Sequence, residues 1–478
     1  MEKIILLACI SLFFLGCGNF LDINPESEVV NDDMFSTAEG VEDALYGVYM
    51  SMVKEDMYGG DMSVLIPELL GQNFVTDDGY LVYVSRLDNE NSYARNMTKK
   101  MWPGSYLVIS YLNNIIENLD QKSVKDFKYY DLYRGEALGL RATIHFDLLR
   151  LFAVHINSTD ENAKAKAIPY VTKYTFKVTP FSSVEEVYEK IIADLKEAET
   201  CLVEDETLMP KIRKGGEKGF TGARELHFNL YAAQAMLARV YWMKGDLKTA
   251  AEYAQKVLDC GYFELADKSE IEDLVNGVLS PKETIWGLFS ATFYTNVRAN
   301  LYLTGSSSCL FLKSDHDDTY LADKEGTDYR YEKWFKNYSA IEASGMRCVK
   351  ILDTYELTYS TRPDARVKGI NMLRLPELYY IITEYYLSLE NQDEAVKYFD
   401  KVLQSRGLTG YADRQGATLT LEKVIQERRK ELICEGQYFF TQKRYNQSIY
   451  EPKSGKLYPA SNDIYVFPLP ENETEYRY

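Results

Sequence analysis

The sequence predicts a mainly α protein: paired helices repeat to form a frame, beside a second, irregular lobe of loops, short helices and a few short strands. Three observations predict it. Apolar residues recur at spacings of three and four over long stretches, the signature of helices with one buried face. One helix-turn-helix pattern occurs twice, far apart in the chain, and the segment between the two copies has a different texture.

The elements follow in order from the N-terminus. Lys3 leads into an apolar run from Ile4 to Leu15, the length of a signal-peptide core and too short to span a bilayer. The run stops at Phe14-Leu15-Gly16-Cys17. Small Gly16 suits a peptidase pocket and Cys17 offers a thiol for thioether lipidation, so residues 1–16 are expected to be a lipoprotein signal peptide and Cys17 the lipidation site. Residues 17–33, with Asn, Asp, Glu and one Pro among few apolar side chains, read as a tether leading off the membrane. Tyr133, Ala137, Leu140, Ile144, Leu148 and Leu151 then mark a helix from Tyr130 to Phe152 with one buried face. A second runs from Ser183 to Leu202, with Ser182 or Ser183 as N-cap, Glu185 and Glu186 in the first turn, and Ile191, Leu195 and Ala198 as its stripe.

The two copies are Leu237 to Leu258 and Ile382 to Leu403, which align without gaps at an offset of 145. Tyr241 matches Tyr386, Ala250 matches Ala395 and Tyr253 matches Tyr398; Gly245-Asp246 or Asn391-Gln392 supplies the turn. A large residue on the first helix facing an Ala on the second lets two helices approach closely, which is the tetratricopeptide-like spacing. Because the copies are not in tandem, they are expected to meet in space around the insertion from Gly261 to Met372. Within it Thr284 to Ala291 alternates like a short strand, Gly305 to Ser308 reads as a loop, and Lys313 to Asp328 is acidic. Glu422 to Glu435 reads as a late charged helix, and the chain closes in extended segments around Pro459, Pro468 and Pro470. The expected division is therefore 34–260 for the N-terminal helical-repeat region and 261–478 for the irregular lobe with the last helix pair.

Composition narrows the function. The formal net charge of −18 argues against nucleic acid or anionic lipid as a partner, since either needs a basic face. Beyond Cys17, the cysteines Cys201, Cys260, Cys309, Cys348 and Cys434 stand singly, so neither a zinc ribbon nor a thioredoxin-type pair is supported; they read as small apolar residues, with one disulfide conceivable after export. No phosphate-binding loop, nucleophile elbow or zinc-binding HExxH helix is present, and Lys214 to Gly222 lacks the spacing of a phosphate loop. His145 and Asp147, two apart on a helix, point to different faces. Asp315, Asp317, Asp318 and Asp323 lack the glycine and terminal glutamate of a calcium loop. No cofactor or metal is expected, and the chain reads as a binding protein and not an enzyme.

Several stretches together resemble the SusD/RagB family, outer-membrane nutrient-binding lipoproteins of Bacteroidetes. They are Cys17, Phe20-Leu21-Asp22 and Pro25; Trp102, Tyr106, Ile109 and Asn113; Gly135-Glu136-Ala137, Leu140-Arg141-Ala142 and Asp147-Leu148-Leu149-Arg150; Arg374-Leu375-Pro376-Glu377; Glu427-Arg428-Arg429-Lys430-Glu431-Leu432 with Glu435-Gly436; and Phe467-Pro468-Leu469-Pro470. The resemblance implies four helix-pair repeats docking on a SusC-like TonB-dependent transporter, attachment to the membrane through the N-terminal lipid, and a ligand held on the irregular lobe. That ligand is a glycan in most of the family and a peptide in a minority. The matched charged residues are expected to be buried ion-pair partners. After Glu435-Gly436 the family continues with Arg, an aromatic, Asp-Leu and another Arg. Here the chain reads Gln437-Tyr438-Phe439-Phe440-Thr441-Gln442, which questions the ion pairing of the late helix.

A sugar presents flat C–H faces and a belt of hydroxyls, so its site needs aromatic planes and hydrogen-bonding groups with little charge. Two excursions supply them. The one after Phe74 carries Tyr80, Tyr83 and Tyr93 with Arg86, Asn89 and Asn91; the one after Ser290 carries Phe293, Tyr294, Arg298 and Tyr302 with Asn296 and Asn300. Both are expected to line the ligand site. Trp286 and Trp334 read as core of the second lobe, and Trp102 as a helix anchor. A peptide ligand would lean less on aromatic platforms, a glycoside hydrolase would need two carboxylates about 5–10 Å apart in a cleft, and a pure scaffold would show no concave aromatic pocket.

Overall fold

A computed structural model describes residues 31–76, 79–123, 125–156, 160–210, 219–275, 278–293, 296–297, 309–312, 319–321, 326–337, 345–351 and 368–475. Twelve helices carry the argument: α1 Ala38–Met52, α2 Leu81–Ser85, α3 Ser92–Thr98, α4 Met101–Asp120, α5 Tyr130–Phe152, α6 Val184–Cys201, α7 Leu230–Lys244, α8 Leu247–Asp259, α9 Leu375–Ser388, α10 Gln392–Ser405, α11 Leu421–Glu431 and α12 Tyr438–Arg444. Four pairs pack side by side, α1 on α4, α5 on α6, α7 on α8 and α9 on α10. The tether expectation needs correction at its end: Asn31–Met34 is helical, and Asn31 accepts a hydrogen bond from Asn114 at 2.8 Å.

The local signals act as the sequence suggests. Ser183 caps α6, accepting from the Glu186 amide while the Glu186 carboxylate accepts from the Ser183 amide, a reciprocal box that satisfies two orphan donors. Thr37, Asp246, Asn391 and Thr420 cap α1, α8, α10 and α11 through their side chains. The two matched helix pairs superpose in chemistry: Tyr241 stacks on Tyr253 with centroids 5.8 Å apart, and Tyr386 on Tyr398 at 5.7 Å. Ala250 and Ala395 are fully buried between their helices. The left-handed residue ending the first helix of each pair is Gly245 (φ 95°) in one and Glu390 (φ 57°) in the other, so the turn geometry outlives the glycine. The pairs meet as expected, α8 lying against α9, with the Tyr398 hydroxyl donating to Gln255 at 2.9 Å.

Two expectations were too modest or too long. One face of the 130–152 helix was expected to be buried, yet from Gly135 onward every α5 residue is buried, because α4, α6 and α1 all pack around it. Its polar side chains are paired accordingly. Glu136 meets Arg224, Arg141 forks onto Asp194 with two 2.8 Å bonds, and Asp147 pairs with Arg150 and accepts from the Tyr58 hydroxyl at 2.6 Å. The late helix stops at Glu431, four residues early, because the chain turns through left-handed Cys434 and Gly436 (φ 60° and 66°).

Six short strands among the described residues belong to the second lobe. β4 Thr284–Phe289 pairs with β8 Gly369–Arg374, and β1 Val75–Thr76, β5 Cys309–Leu312, β7 Gly345–Cys348 and β6 Phe335–Asn337 form a sheet in the order β1-β5-β7-β6. β4 is a strand as expected, but Thr284 to Leu288 are buried in succession instead of alternating. The Phe228 ring meets Trp286 edge-on at 5.0 Å, and the Leu279 side chain closes over Gly287. Two hairpin-like pairs, β2 Lys166–Pro169 with β3 Phe181–Ser183 and β9 Ile449–Glu451 with β10 Lys456–Tyr458, complete the strands among the described residues. Trp102, Trp286 and Trp334 are all buried core residues.

A buried ionic seam joins the frame to this lobe. Glu431 accepts from Arg374, Arg406 and Arg330; Glu283 pairs with Arg374 and Arg406; Glu435 pairs with Arg374 and Lys350; Glu427 and Asp328 share Arg330 and Lys430. Glu377 on α9 sits between Arg239 of α7 and Arg428 of α11, each at 2.5 Å. Ion pairing of the late helix is therefore intact despite the changed residues after Gly436. Gln437 accepts from Arg150 at 3.0 Å instead. Below the seam, the Lys443 ammonium donates to the carbonyls of Arg150, Ala153 and Tyr465 at 2.6–2.7 Å, fastening α12 and the C-terminal segment to the end of α5.

Candidate ligand-binding site

The excursion after Phe74 begins at β1 and that after Ser290 ends at β5, and these strands pair, Val75 with Leu310 and Thr76 with Cys309. One short ladder thus brings the stems of both excursions to the same edge of the second lobe. The Asn296 amide reinforces the approach by donating to the Gly59 carbonyl at 3.2 Å.

Of the seven aromatic and cationic residues expected there, three come together. Across the contact between helices α2 and α3, Tyr93 lies 4.7 Å from Tyr80 and stacks on Tyr83 at 5.9 Å with the rings 14° from parallel. Tyr80 is 58% exposed and Tyr93 46%, while Tyr83 is half-buried against the core. The turn between the helices sets this geometry: left-handed Leu87 (φ 56°) reverses the chain, and Asn91 caps α3 by accepting from the Tyr93 amide at 3.0 Å. Asn89 donates to the Asp463 carbonyl at 2.8 Å, tying the turn to the C-terminal segment. Asn89 and Asn91 therefore shape the platform, and Arg86 ends α2 in the open.

Phe293 requires a correction: it is 3% exposed and lies in the core among Leu274, Val278 and Ile370. A ring without a polar edge gains most from full burial. Tyr294, Arg298, Asn300 and Tyr302, together with Gly305 to Ser308 and Asp315, Asp317, Asp318 and Asp323, lie outside the described residues.

A feature missed in the sequence adjoins the platform. The opposite face of α3, with Ser92, Arg95, Asn96 and Lys99, forms one wall of an open groove of about 450 Å³. Pro468, Leu469 and Pro470 form the other, and Arg95 spans it to Glu471 at 3.4 Å. Pro468 to Pro470 carried a signal as a rigid extended segment, but only the fold reveals that it lies along α3.

The titratable groups of the frame are structural. His145 accepts from the Val171 amide through Nε2 at 3.0 Å, and its Nδ1 lies 2.9 Å from the Arg141 carbonyl. Burial holds it down at about 3, so it stays neutral. Among the described residues no cluster of three His, Cys, Asp or Glu side chains is arranged to hold a metal, and no helix is long and apolar enough to cross a membrane.

Comparison with known proteins accords with this architecture. The chain is 25% identical to SusD-like protein P2 of Formosa agariphila over 97% of its own length and 95% of that protein's. Residues in 42% of the chain are 28% identical to SusD-like protein P38 of the same organism, covering 37% of it. Among solved structures, a putative sugar binding protein of Bacteroides vulgatus aligns with a TM-score of 0.73 at 21% identity, covering 92% of this chain and 96% of that one. A laminarin binding SusD-like protein aligns with a TM-score of 0.68 at 19% identity, covering 92% and 98%. A family model described as starch-binding, associating with the outer membrane, matches residues 19–242, and that of the SusD family matches residues 289–476. With both halves matched in order and the fold shared, the chain belongs to the SusD family.

Proposed function

We propose that this chain is a cell-surface lipoprotein that captures an oligosaccharide or polysaccharide without transforming it and passes it to a SusC-like TonB-dependent outer-membrane transporter. The observation that carries the reading is the exposed tyrosine platform of Tyr80, Tyr83 and Tyr93, held at the edge of the second lobe where the first excursion begins and the second ends. Tyrosine rings offer a flat apolar face to sugar C–H groups and a hydroxyl to the sugar's own. The residues assigned to the site from the second excursion, on sequence, are Tyr294, Arg298 and Tyr302. The lipid on Cys17 holds the body at the membrane: a thioether-linked diacylglyceryl group carries two acyl chains, and two are what stable anchoring requires.

Affinity electrophoresis through gels containing individual polysaccharides, starch and laminarin among them, tests the reading. Retardation of the wild-type chain by at least one polysaccharide, lost in the variant Tyr80→Ala/Tyr83→Ala/Tyr93→Ala, is expected. Retention by a peptide pool and by none of the polysaccharides would move the protein to the peptide-binding branch, and release of reducing sugars would make it a hydrolase.

A further inference from the structure

Cys348 ends β7, and Cys434 follows α11 about 85 residues later. Both are free thiols buried to 5% and 3% exposure. Separate contacts fix the two backbones beside each other. The Lys350 ammonium, two residues past Cys348, donates to the carbonyls of Glu431 and Ile433 at 2.9 Å each and to the Glu435 carboxylate at 2.6 Å, enclosing Cys434 on both sides. The Cys348 strand is held in register against β6 by the Phe335 pairing. Between these anchors the Cys348 thiol is the neighbour that, after burial, most raises the Cys434 thiol. Two buried neighbouring thiols whose backbones are held side by side, with no group of three metal-binding side chains among the described residues, suit a disulfide.

We propose that Cys348 and Cys434 form a disulfide in the exported protein, cross-linking the strand sheet of the second lobe to the end of the ionic seam. The inference rests on the export reading above, because such a bond persists in an oxidising compartment. The oxidant is a disulfide, either a small one such as oxidised glutathione or that of a thiol-disulfide oxidoreductase. One cysteine thiolate attacks it, forming a mixed disulfide and expelling one thiolate. The second cysteine then attacks the protein-side sulfur and releases the other, so two protein thiols lose two electrons and two protons and the oxidant gains them. Burial, followed by the Cys348 thiol beside it, pushes the Cys434 thiol well up, so thiolate is scarce once the lobe has closed. The bond therefore forms while the lobe is folding. Cys309 is the competitor: the register Phe311 with Met346 and Leu312 with Gly345, continued by two residues, sets position 309 opposite 348.

The test uses the full mature chain refolded with oxidised glutathione, alkylated with N-ethylmaleimide and digested without reduction. A peptide linking Cys348 to Cys434 is expected in the mass spectrum. Reduction with dithiothreitol is expected to lower the melting temperature by about 3–6 °C, since a loop of this length is released, and Cys348→Ser or Cys434→Ser to remove that sensitivity, whereas Cys201→Ser retains it. Recovery of both residues solely as alkylated thiols, or of Cys348 joined to Cys309, overturns the proposal without need of any variant. Maleimide quenching of intact cells reads the compartment separately. A chain that cross-links with glutathione but is reduced in cells overturns the export reading, and the linked peptide from both preparations upholds the two together.

Discussion

Replacing Glu377 with Gln removes one charge from the point where two helix pairs and the late helix meet. The carboxylate lies 2.5 Å from both Arg239 and Arg428, and all three side chains are at most 6% exposed. Burial alone would raise the acid, but the two guanidiniums outweigh it and hold it at about 2, against an ordinary 4.5. That difference corresponds to about 3 kcal/mol of native-state stabilisation at neutral pH. The cost of breaking a buried pair by removing one partner, about 3–5 kcal/mol, gives the same scale by an independent route. In a chain of this size that is a fall of roughly 3–5 °C in melting temperature. The sign with pH is fixed: the folded value is depressed, so the stabilisation is complete above about 4.5 and fades as pH falls toward 2. Scanning calorimetry of wild type and Glu377→Gln should therefore show a constant gap from pH 5 to 8 and a narrower one at pH 3.5. A gap below 1 °C at neutral pH, or one that does not narrow in acid, would refute the account of the seam.

Tyr93→Ala, at the centre of the three rings, is expected to weaken glycan binding about 5- to 10-fold with unchanged melting, as one lost stacking face is worth about 1 kcal/mol; isothermal titration against the polysaccharide that retards the wild type measures it. Ala395→Leu inserts three carbons between α9 and α10 where no space exists and is expected to cost about 1–3 kcal/mol, read by denaturant unfolding, with Ala250→Leu behaving alike. Gly139→Ala places a Cβ 1.9 Å from the Phe228 ring and is expected to reduce soluble yield or lower the melting temperature by several degrees. Cys17→Ser is expected to abolish palmitate labelling and release the protein from the membrane fraction; labelling that survives would refute the lipid anchor.

The helical frame was legible because its signals are local. Ser183 and Glu186 define a helix start within four residues, and the matched Tyr241/Tyr253 and Tyr386/Tyr398 pairs encode packing within one hairpin. What escaped depends on contacts distant in sequence. The family resemblance led to the expectation that Glu136, Arg141 and Asp147 are buried, but nothing in the apolar stripe of α5 names their partners Arg224, Asp194 and Tyr58, which lie 53 to 89 residues away. The platform was half legible: Tyr80, Tyr83 and Tyr93 lie in one short segment, and their contacts follow from two helix starts and a left-handed Leu87. Phe293 was misjudged because an aromatic in a loop-rich segment looks the same in sequence whether it faces a ligand or the core. The groove beside α3 was invisible, since its second wall comes from residues 468–473.

The Lys443 ammonium bears on how the molecule matures. Its three acceptors come from the first third of the chain, at Arg150 and Ala153, and from near the end, at Tyr465, while the Phe467 amide closes on Leu151. Until the final few dozen residues emerge, the tip of the central helix lacks its cover and a buried cation lacks its cage. Completion of this end of the fold is thus deferred to the last stage of synthesis.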